Sequence, residues 1–269
     1  MEGYIFQENF PNRVARRHDA LEPWLNTAVK TALLTKKGAF IDVGANRGQS
    51  LMKLLSVDKE RPYVGFEPQL DCCFFIDKFF TQNNMANHII IPMGLSNKRG
   101  LVELFKRHHG ADDTASTIEG FRPDDFYAAR QVINVITGDE ILSELGVSPI
   151  SIVKIDVEGA ELEVLEGLKS TLAEHKPFVF FEVLNNFLVV TGRELDADTA
   201  EFRKRRASQL EALLRDLGYS IYNIRKNNII IEIAEIELIV SGDLSITDYV
   251  AVHADYKAQF ISNFPGTVS

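Results

Sequence analysis

Three features of the chain predict a doubly wound α/β fold on a mostly parallel sheet with an antiparallel C-terminal edge. Short β-branched or aromatic runs alternate with longer helix-like segments from residue 39 onward, a glycine-rich turn joins the first run directly to a helix, and close-set strand-like runs crowd the C-terminus. Strands with such continuous apolar character are covered by helices on both faces. At 269 residues, with 45% hydrophobic and 25% charged content, the chain can bury a core without disulfides or metal staples.

In chain order, strands are expected at Ala39–Val43, Tyr63–Phe66, Ile89–Ile91, Ser151–Ile155 and Phe178–Val183. Helices are expected at Gln49–Ser56, Leu70–Thr81, Ala160–Ala173 and Ala200–Leu217, the last stopped by Gly218. Tyr219–Ile224, Ile229–Ile233, Glu237–Val240 and Tyr249–Val252 read as the antiparallel edge. Lys106–Arg130, with its paired histidines, glycines, Pro123 and aspartates, fits neither period and reads as a long loop on the substrate side. Residues 1–37 read as an N-terminal helical extension containing Trp24, packed on the domain or covering its site, and residues 38–269 as the main domain.

Several function classes are disfavoured. A net charge of −9 repels nucleic-acid phosphates, and the basic run Arg203 to Arg206 falls on an expected helix, where it reads as a solvated face. The N-terminus lacks the apolar core of a signal peptide, and no apolar stretch is long enough to span a bilayer, so a cytoplasmic protein without nucleic-acid or membrane partners is expected. Cys72 and Cys73 are adjacent, a poor geometry for a disulfide, and read as buried thiols. The run Phe74, Phe75, Phe79 and Phe80 has helical spacing and reads as core.

The most informative stretch is Phe40-Ile41-Asp42-Val43-Gly44-Ala45-Asn46-Arg47-Gly48-Gln49-Ser50, a strand passing through a tight turn into a helix. Glycine there takes positive φ and lets a ligand approach backbone N–H groups at a helix start. A dinucleotide fingerprint would need glycine at Asn46 and Gln49, which counts against an NAD-dependent oxidoreductase. A nucleoside-binding turn with an acidic residue followed by alternate glycines fits Asp42, Gly44 and Gly48, with Asn46 departing. Glu67, ending the next strand about 25 residues after Asp42, stands where a carboxylate would accept hydrogen bonds from ribose hydroxyls.

With these residues in view, the chain resembles the FkbM family methyltransferases. FIDVGANRGQS, VGFEP and VKIDVEGAELEVLEG look like the family's three landmarks, and Gly94-Leu95-Ser96-Asn97 and Thr137-Gly138-Asp139-Glu140 echo it between them. The similarity runs from about residue 38 to 190, and Asn46 is the family's usual residue at its position. The resemblance implies a Rossmann-like class I methyltransferase fold, S-adenosyl-L-methionine as methyl donor, and a small hydroxylated acceptor such as a sugar. It fixes the donor better than the acceptor.

Ligands of open α/β sheets lie beyond the carboxyl ends of the strands. That places Asp42, Gly44, Ala45, Asn46, Gly48, Glu67, Pro68, Ser96 and Asp156 as candidate cofactor-binding residues, Asp156 opposite the cationic methionine part of the donor. Displacement at the methyl carbon needs an oriented hydroxyl and a base for its proton. The candidates are Asp156, Glu158, Glu182 and His109, with His108 beside it; Glu158 would equally complement a helix dipole, and both histidines suit an exposed loop. Lys154, in an apolar strand, calls for a carboxylate partner or the exposed strand end. A divalent metal between Asp156, Glu182 and Asn185 or Asn186 is a possible but not favoured alternative. Arg107 and Arg122 would suit an anionic acceptor, and an inactive module binding a nucleoside or a partner protein is the rival reading from another class.

Overall fold

The computed structural model describes residues 22–269, so residues 1–21 of the expected N-terminal extension lie outside the described part. The strands are β1 (Ala39–Val43), β2 (Tyr63–Phe66), β3 (His88–Ile91), β4 (Gly94–Leu95), β5 (Gly100–Lys106), β6 (Ala129–Ile136), β7 (Ile150–Ile155), β8 (Phe178–Glu182), β9 (Phe187–Leu188), β10 (Arg193–Glu194), β11 (Tyr219–Arg225), β12 (Ile229–Glu232), β13 (Asp248–His253) and β14 (Thr267–Val268). The helices are α1 (Pro23–Thr35), α2 (Gln49–Val57), α3 (Leu70–Gln82), α4 (Gly138–Glu144), α5 (Glu161–Glu166), α6 (Lys169–His175), α7 (Ala197–Asp216) and α8 (Ala254–Asn263).

Nine strands form the main sheet in the order β14-β12-β11-β13-β8-β7-β1-β2-β3. The run from β3 to β8 is parallel, and β13 enters antiparallel between β8 and β11. Alternate side chains of each strand face opposite layers. Phe178 and Phe180 of β8 join Leu25 and Leu33 of α1, Leu51 of α2 and Phe260 of α8 on one face. Val179 and Phe181 join Leu165 of α5 and Leu210 and Leu214 of α7 on the other. The two apolar layers explain why the central strands read as unbroken hydrophobic runs.

Four expectations need correction. Glu237–Val240 forms no strand; it runs along the α7 layer, where Ile236 N–H donates to Glu211 Oε2 and the Ile239 carbonyl accepts from Asn186 N–H. The single helix expected at Ala160–Ala173 is split into α5 and α6 at Gly167, whose carbonyl accepts the Asp139 N–H and whose backbone passes so near the Ser96 carbonyl oxygen that a Cβ would lie 2.0 Å from it. Phe79 and Phe80 are core, but Phe74 is 55% exposed. Arg203 is not solvated: it is buried under the loop before β6, while Arg206 pairs with Glu163.

The segment between β4 and β6 contains a second sheet, ordered β4-β6-β5, that the sequence reading left unassigned. Residues 107–128 connect β5 to β6, tied down by an isolated bridge between Phe105 and Ser116. Both cysteines are free and buried. Among the described residues, no helix is long and apolar enough to cross a membrane.

Candidate active site

The order of β2-β1-β7 puts a topological switch at β1, where chain direction leaves the sheet on both sides and a crevice opens beyond the strand ends. A cavity of about 480 Å³ lies there. Its floor is the β1 turn, its sides are the ends of β2, β7 and β8, and residues of the 107–128 loop face it from above.

The turn after β1 is built from three positive-φ residues, Gly44 at 82°, Asn46 at 45° and Gly48 at 85°. Gly44 is required by space as well as by φ, since a Cβ would sit 1.9 Å from the Asp156 carbonyl oxygen. The N–H groups of Gly44 and Ala45 both donate to the Phe66 carbonyl, fastening the turn to the end of β2. Helix α2 then starts at Gly48 without a side-chain cap, and Gln49 and Ser50 of its first turn line the cavity.

Glu67 is 3% exposed and holds the turn from the other side. Its Oε2 accepts the Asn46 N–H at 2.9 Å, and its Oε1 accepts the Gln69 N–H at 2.8 Å. Burial raises its pKa, against the lowering effect of those two N–H groups. Glu67 lines the cavity, and each of its oxygens has capacity to accept one further hydrogen bond.

Asp156, Glu158 and Glu182 come together at the ends of β7 and β8, each with an oxygen within 4.8 Å of the others. Every one has a different companion. Asp156 Oδ2 lies 2.9 Å from Lys154 Nζ, Glu158 pairs with Arg122, and Glu182 Oε1 accepts from the Thr247 hydroxyl at 2.8 Å. Burial works to lower the Lys154 pKa, but the carboxylates of Asp156, Glu22 and Asp42 outweigh it and raise the value overall, so the lysine stays charged. Burial, the Asp156 charge and the Glu158 charge push Glu182 well above the usual carboxylate range. Burial lifts Glu158 to about 7, with Arg122 holding it down and Asp156 pushing it up. Glu158 takes φ of 56°, a conformation uncommon outside glycine, and the following Gly159 lies under the Phe121 ring, which a Cβ would meet at 2.5 Å.

Gly44, Ala45, Asn46, Glu67, Pro68, Asp156, Glu158 and Glu182 therefore line one cavity, together with Arg107. Asp42, Gly48, Ser96 and His109 do not line it. The Asp42 side chain is fully buried beneath the turn, with Oδ2 accepting from the Tyr63 hydroxyl at 2.7 Å, so it braces the floor instead of facing a ligand. Gly48 is the buried start of α2, and Ser96 lies against Gly167 at the α5–α6 break. His108 and His109 are exposed, with His108 Nδ1 2.9 Å from the His109 carbonyl. Arg122 is committed to Glu158 and is not free for an anion. Sequence reasoning missed Gln69 and Asp112, whose link across the cavity rim has no local pattern, and read Arg203 as solvent-facing because a basic helical run looks the same whichever face it presents.

A metal would find oxygen ligands at the three carboxylates, but Lys154 and Arg122 already supply positive charge to two of them. Asn185 Oδ1 is turned toward the Ile239 N–H at 3.4 Å, and the Asn186 amide nitrogen toward the Leu238 carbonyl.

A parallel β3-to-β8 core, an antiparallel strand slotted in before the last parallel strand, and a cavity over the β1 turn define the class I methyltransferase fold. Residues 42–221 match the family model described as the methyltransferase FkbM domain, and the chain belongs to that family. Hexuronic acid methyltransferase AglP of Haloferax volcanii is 31% identical over 145 residues, which cover 53% of this chain and 54% of the relative. The chain thus spans about half the length of that curated relative. The crystal structure of methyltransferase FkbM from Methylobacillus flagellatus aligns with 80% of this chain and 43% of its own, at 18% identity and a TM-score of 0.48. Precorrin-6y C5,15-methyltransferase of Geobacter metallireducens aligns with 94% of this chain and 95% of its own, at 10% identity and a TM-score of 0.44.

Proposed function

We propose that this chain transfers a methyl group from S-adenosyl-L-methionine to a hydroxyl oxygen of a sugar or other small metabolite. The observation that carries the reading is the cavity in which the glycine turn and Glu67 meet three carboxylates with different partners. The backbone of Gly44 to Asn46 and the carboxylate of Glu67 would hold the nucleoside part, with Asp156 facing the cationic end. When bound, the donor supplies an electrophilic methyl group on a sulfonium sulfur.

The residues divide the remaining work by protonation state. Glu158, near 7, is available as the base that takes the hydroxyl proton, since a catalytic pKa near the working pH is the most effective. Burial and the neighbouring Asp156 and Glu158 charges push Glu182 well above the usual carboxylate range, and its protonated form would donate a hydrogen bond to an acceptor oxygen. Glu22, at the start of the described chain, and Leu244 close the cavity from the sides and limit water. The hexuronic acid named in the Haloferax volcanii relative supports a sugar-like acceptor. A metal is not favoured, because two of the three carboxylates already have cationic partners; full activity is expected in the presence of a chelator.

Calorimetric titration with S-adenosyl-L-methionine and S-adenosylhomocysteine tests the donor site without knowledge of the acceptor. Binding that Glu67→Ala weakens, while the folded signal is kept, supports the reading. A folded chain that binds neither compound overturns it and leaves a non-catalytic binding module on the same fold.

A further inference from the structure

A second hollow of about 180 Å³ opens off the main cavity and shares Thr114, Glu158, Glu182, Val190 and Leu244 with it. Beyond that junction its wall is mainly apolar, contributed by Phe126, Leu184, Phe187 and Leu188. Val190 is 53% exposed and Leu244 43%, so the junction itself has an apolar lip open to solvent.

Three stretches of chain, far apart in sequence, hold the hollow open. The β9–β10 hairpin is tied to the single turn Asp124–Phe126 by the ion pair of Arg193 with Asp125. Just before β9, Asn186 N–H donates to the Ile239 carbonyl at 2.9 Å, which fixes the hairpin to the stretch that leads to Leu244. Gly242 in that stretch passes so near the Phe187 ring that a Cβ would meet it at 3.2 Å. Protein interiors otherwise close over apolar space, and a hollow kept open beside a cavity has the form of a ligand site.

The polar side chains around the hollow are turned to partners in the protein. Arg122 bonds Glu158 and the Thr114 carbonyl, the Thr114 hydroxyl donates to Asp112 Oδ1 at 2.8 Å, and the Ser241 hydroxyl accepts the Asp243 N–H at 3.2 Å. The nitrogens of Arg203 and Asn185 that lack a partner among the described residues are sealed beneath the surface, where no ligand atom reaches them. A molecule in the hollow therefore meets carbon on most sides, with the carboxyl groups of Glu158 and Glu182 at its inner end. Hydroxyl groups placed against such a wall would give up water for nothing, whereas an apolar group would gain by leaving water.

We propose that this side hollow is the acceptor subsite, and that it takes an apolar group, an alkyl chain or an aromatic ring, attached to the hydroxylated part of the acceptor. The inference rests on the methyltransferase reading for the word acceptor; the apolar wall and its continuity with the two carboxyl groups carry the rest. The polar head would sit at the junction with its hydroxyl beside Glu158, and the apolar arm would fix the direction in which that hydroxyl points. This narrows the acceptor from any small hydroxylated metabolite to an amphiphilic one, of which a glycoside with an apolar aglycone is the simplest example.

The test measures binding of methyl, propyl and pentyl β-D-glucopyranoside by NMR titration in the presence of S-adenosylhomocysteine, on the whole chain and on Val190→Asp and Phe187→Ser. Burying one methylene is worth about a fourfold gain in affinity, so the pentyl compound is expected to bind at least about tenfold more tightly than the methyl one. Phe187→Ser removes part of the apolar wall, and Val190→Asp puts a charge on the lip at a half-exposed position outside the core. Both should flatten the series, and Val190→Asp decides the matter if the phenylalanine variant does not fold. No gain with chain length, or a gain that survives Val190→Asp, overturns the proposal. Binding of S-adenosylhomocysteine, read in the same samples, reports separately on the donor site, so a chain that holds the nucleoside but does not distinguish the glucosides fails here alone.

Discussion

The side-chain amide of Gln69 bonds both backbone groups of Asp112, Nε2 donating to its carbonyl at 2.9 Å and Oε1 accepting its N–H at 2.7 Å. A residue three positions beyond β2 is thereby locked to a loop 43 positions away. Asp112 in turn organises that loop: its carboxylate accepts the N–H groups of Arg107 and Thr114 and the Thr114 hydroxyl, which together hold its pKa below the usual carboxylate value despite burial. Since Gln69 N–H also donates to Glu67, the donor side and the roof of the cavity share one anchor.

Gln69→Leu should therefore release the roof without emptying the core. Two buried backbone groups of Asp112 lose their partners, at a cost of roughly 1–3 kcal/mol for each group left unsatisfied. Amide hydrogen exchange is expected to accelerate across residues 107–122 and to stay unchanged in β1 and β7. Because the loop faces the cavity, KM for the acceptor should rise more than kcat falls. Unchanged exchange in the loop would show that other contacts hold it.

The Glu158 carboxyl, near 7, makes the rate pH-dependent in a definite direction. The base must be ionised to accept a proton, so kcat rises as pH increases through about 7 and levels above it. Glu158→Gln should lower kcat by roughly 10²–10⁴-fold and remove that rising limb. Arg122→Met takes away the charge that holds the carboxyl down, so the limb should move to higher pH. A limb that stays in place in both variants would assign the titration to another group.

Donor affinity isolates the β1 turn from the acceptor question. Glu67→Gln leaves one oxygen for the Asn46 N–H but loses a charged acceptor for the diol, a loss of about 1.5–3 kcal/mol, or roughly 10- to 100-fold in Kd. Gly44→Ala is harsher, as its Cβ would overlap the Asp156 carbonyl at a φ of 82°. It should abolish binding and lower Tm strongly, whereas Glu67→Gln, whose NH2 can accept neither the Asn46 nor the Gln69 N–H, should lower Tm by a smaller step, from a loss of roughly 1–3 kcal/mol in stability. Calorimetry and a thermal melt on the same samples separate the two cases.

What could be read from the sequence divides along local and non-local lines. The Gly44 turn, Glu67 and the carboxylates after β7 and β8 follow from strand-then-turn patterns within a few residues, and the structure brings them to one cavity. Asp42 looked like part of that set because it ends β1, but strand alternation turns it beneath the floor toward Tyr63. The β4-β6-β5 sheet escaped notice because β5 and β6 are joined by the long 107–128 loop and their outer face is wet, with Leu101 and Val132 exposed. Arg203, Gln69 and Asn185 draw their meaning from partners dozens of positions away, which no periodicity encodes.

Asp42 also sets a pH dependence of stability that is independent of catalysis. Burial raises its carboxyl from an ordinary value of 3.8 to about 6, against the pull of Lys154 and the Tyr63 hydroxyl. Between those two values the folded chain holds a proton that the unfolded chain has lost, so the contribution of Asp42 to stability falls as pH rises through that window and the loss is complete above about 6. At about 1.4 kcal/mol per pH unit, the loss is on the order of 3 kcal/mol. Buried Glu161, raised to about 7, adds to the same trend, while His88, whose pKa burial lowers from its ordinary value of 6.5, opposes it. Asp42→Asn keeps an oxygen for the Tyr63 hydroxyl and cannot ionise. Urea unfolding at pH 4.5 and pH 8 should show the substitution costing stability at the lower pH and recovering most of it, or exceeding the unaltered chain, at the higher. An effect of equal size at both pH values would mean that Asp42 is ionised throughout, held by Lys154 more strongly than burial opposes.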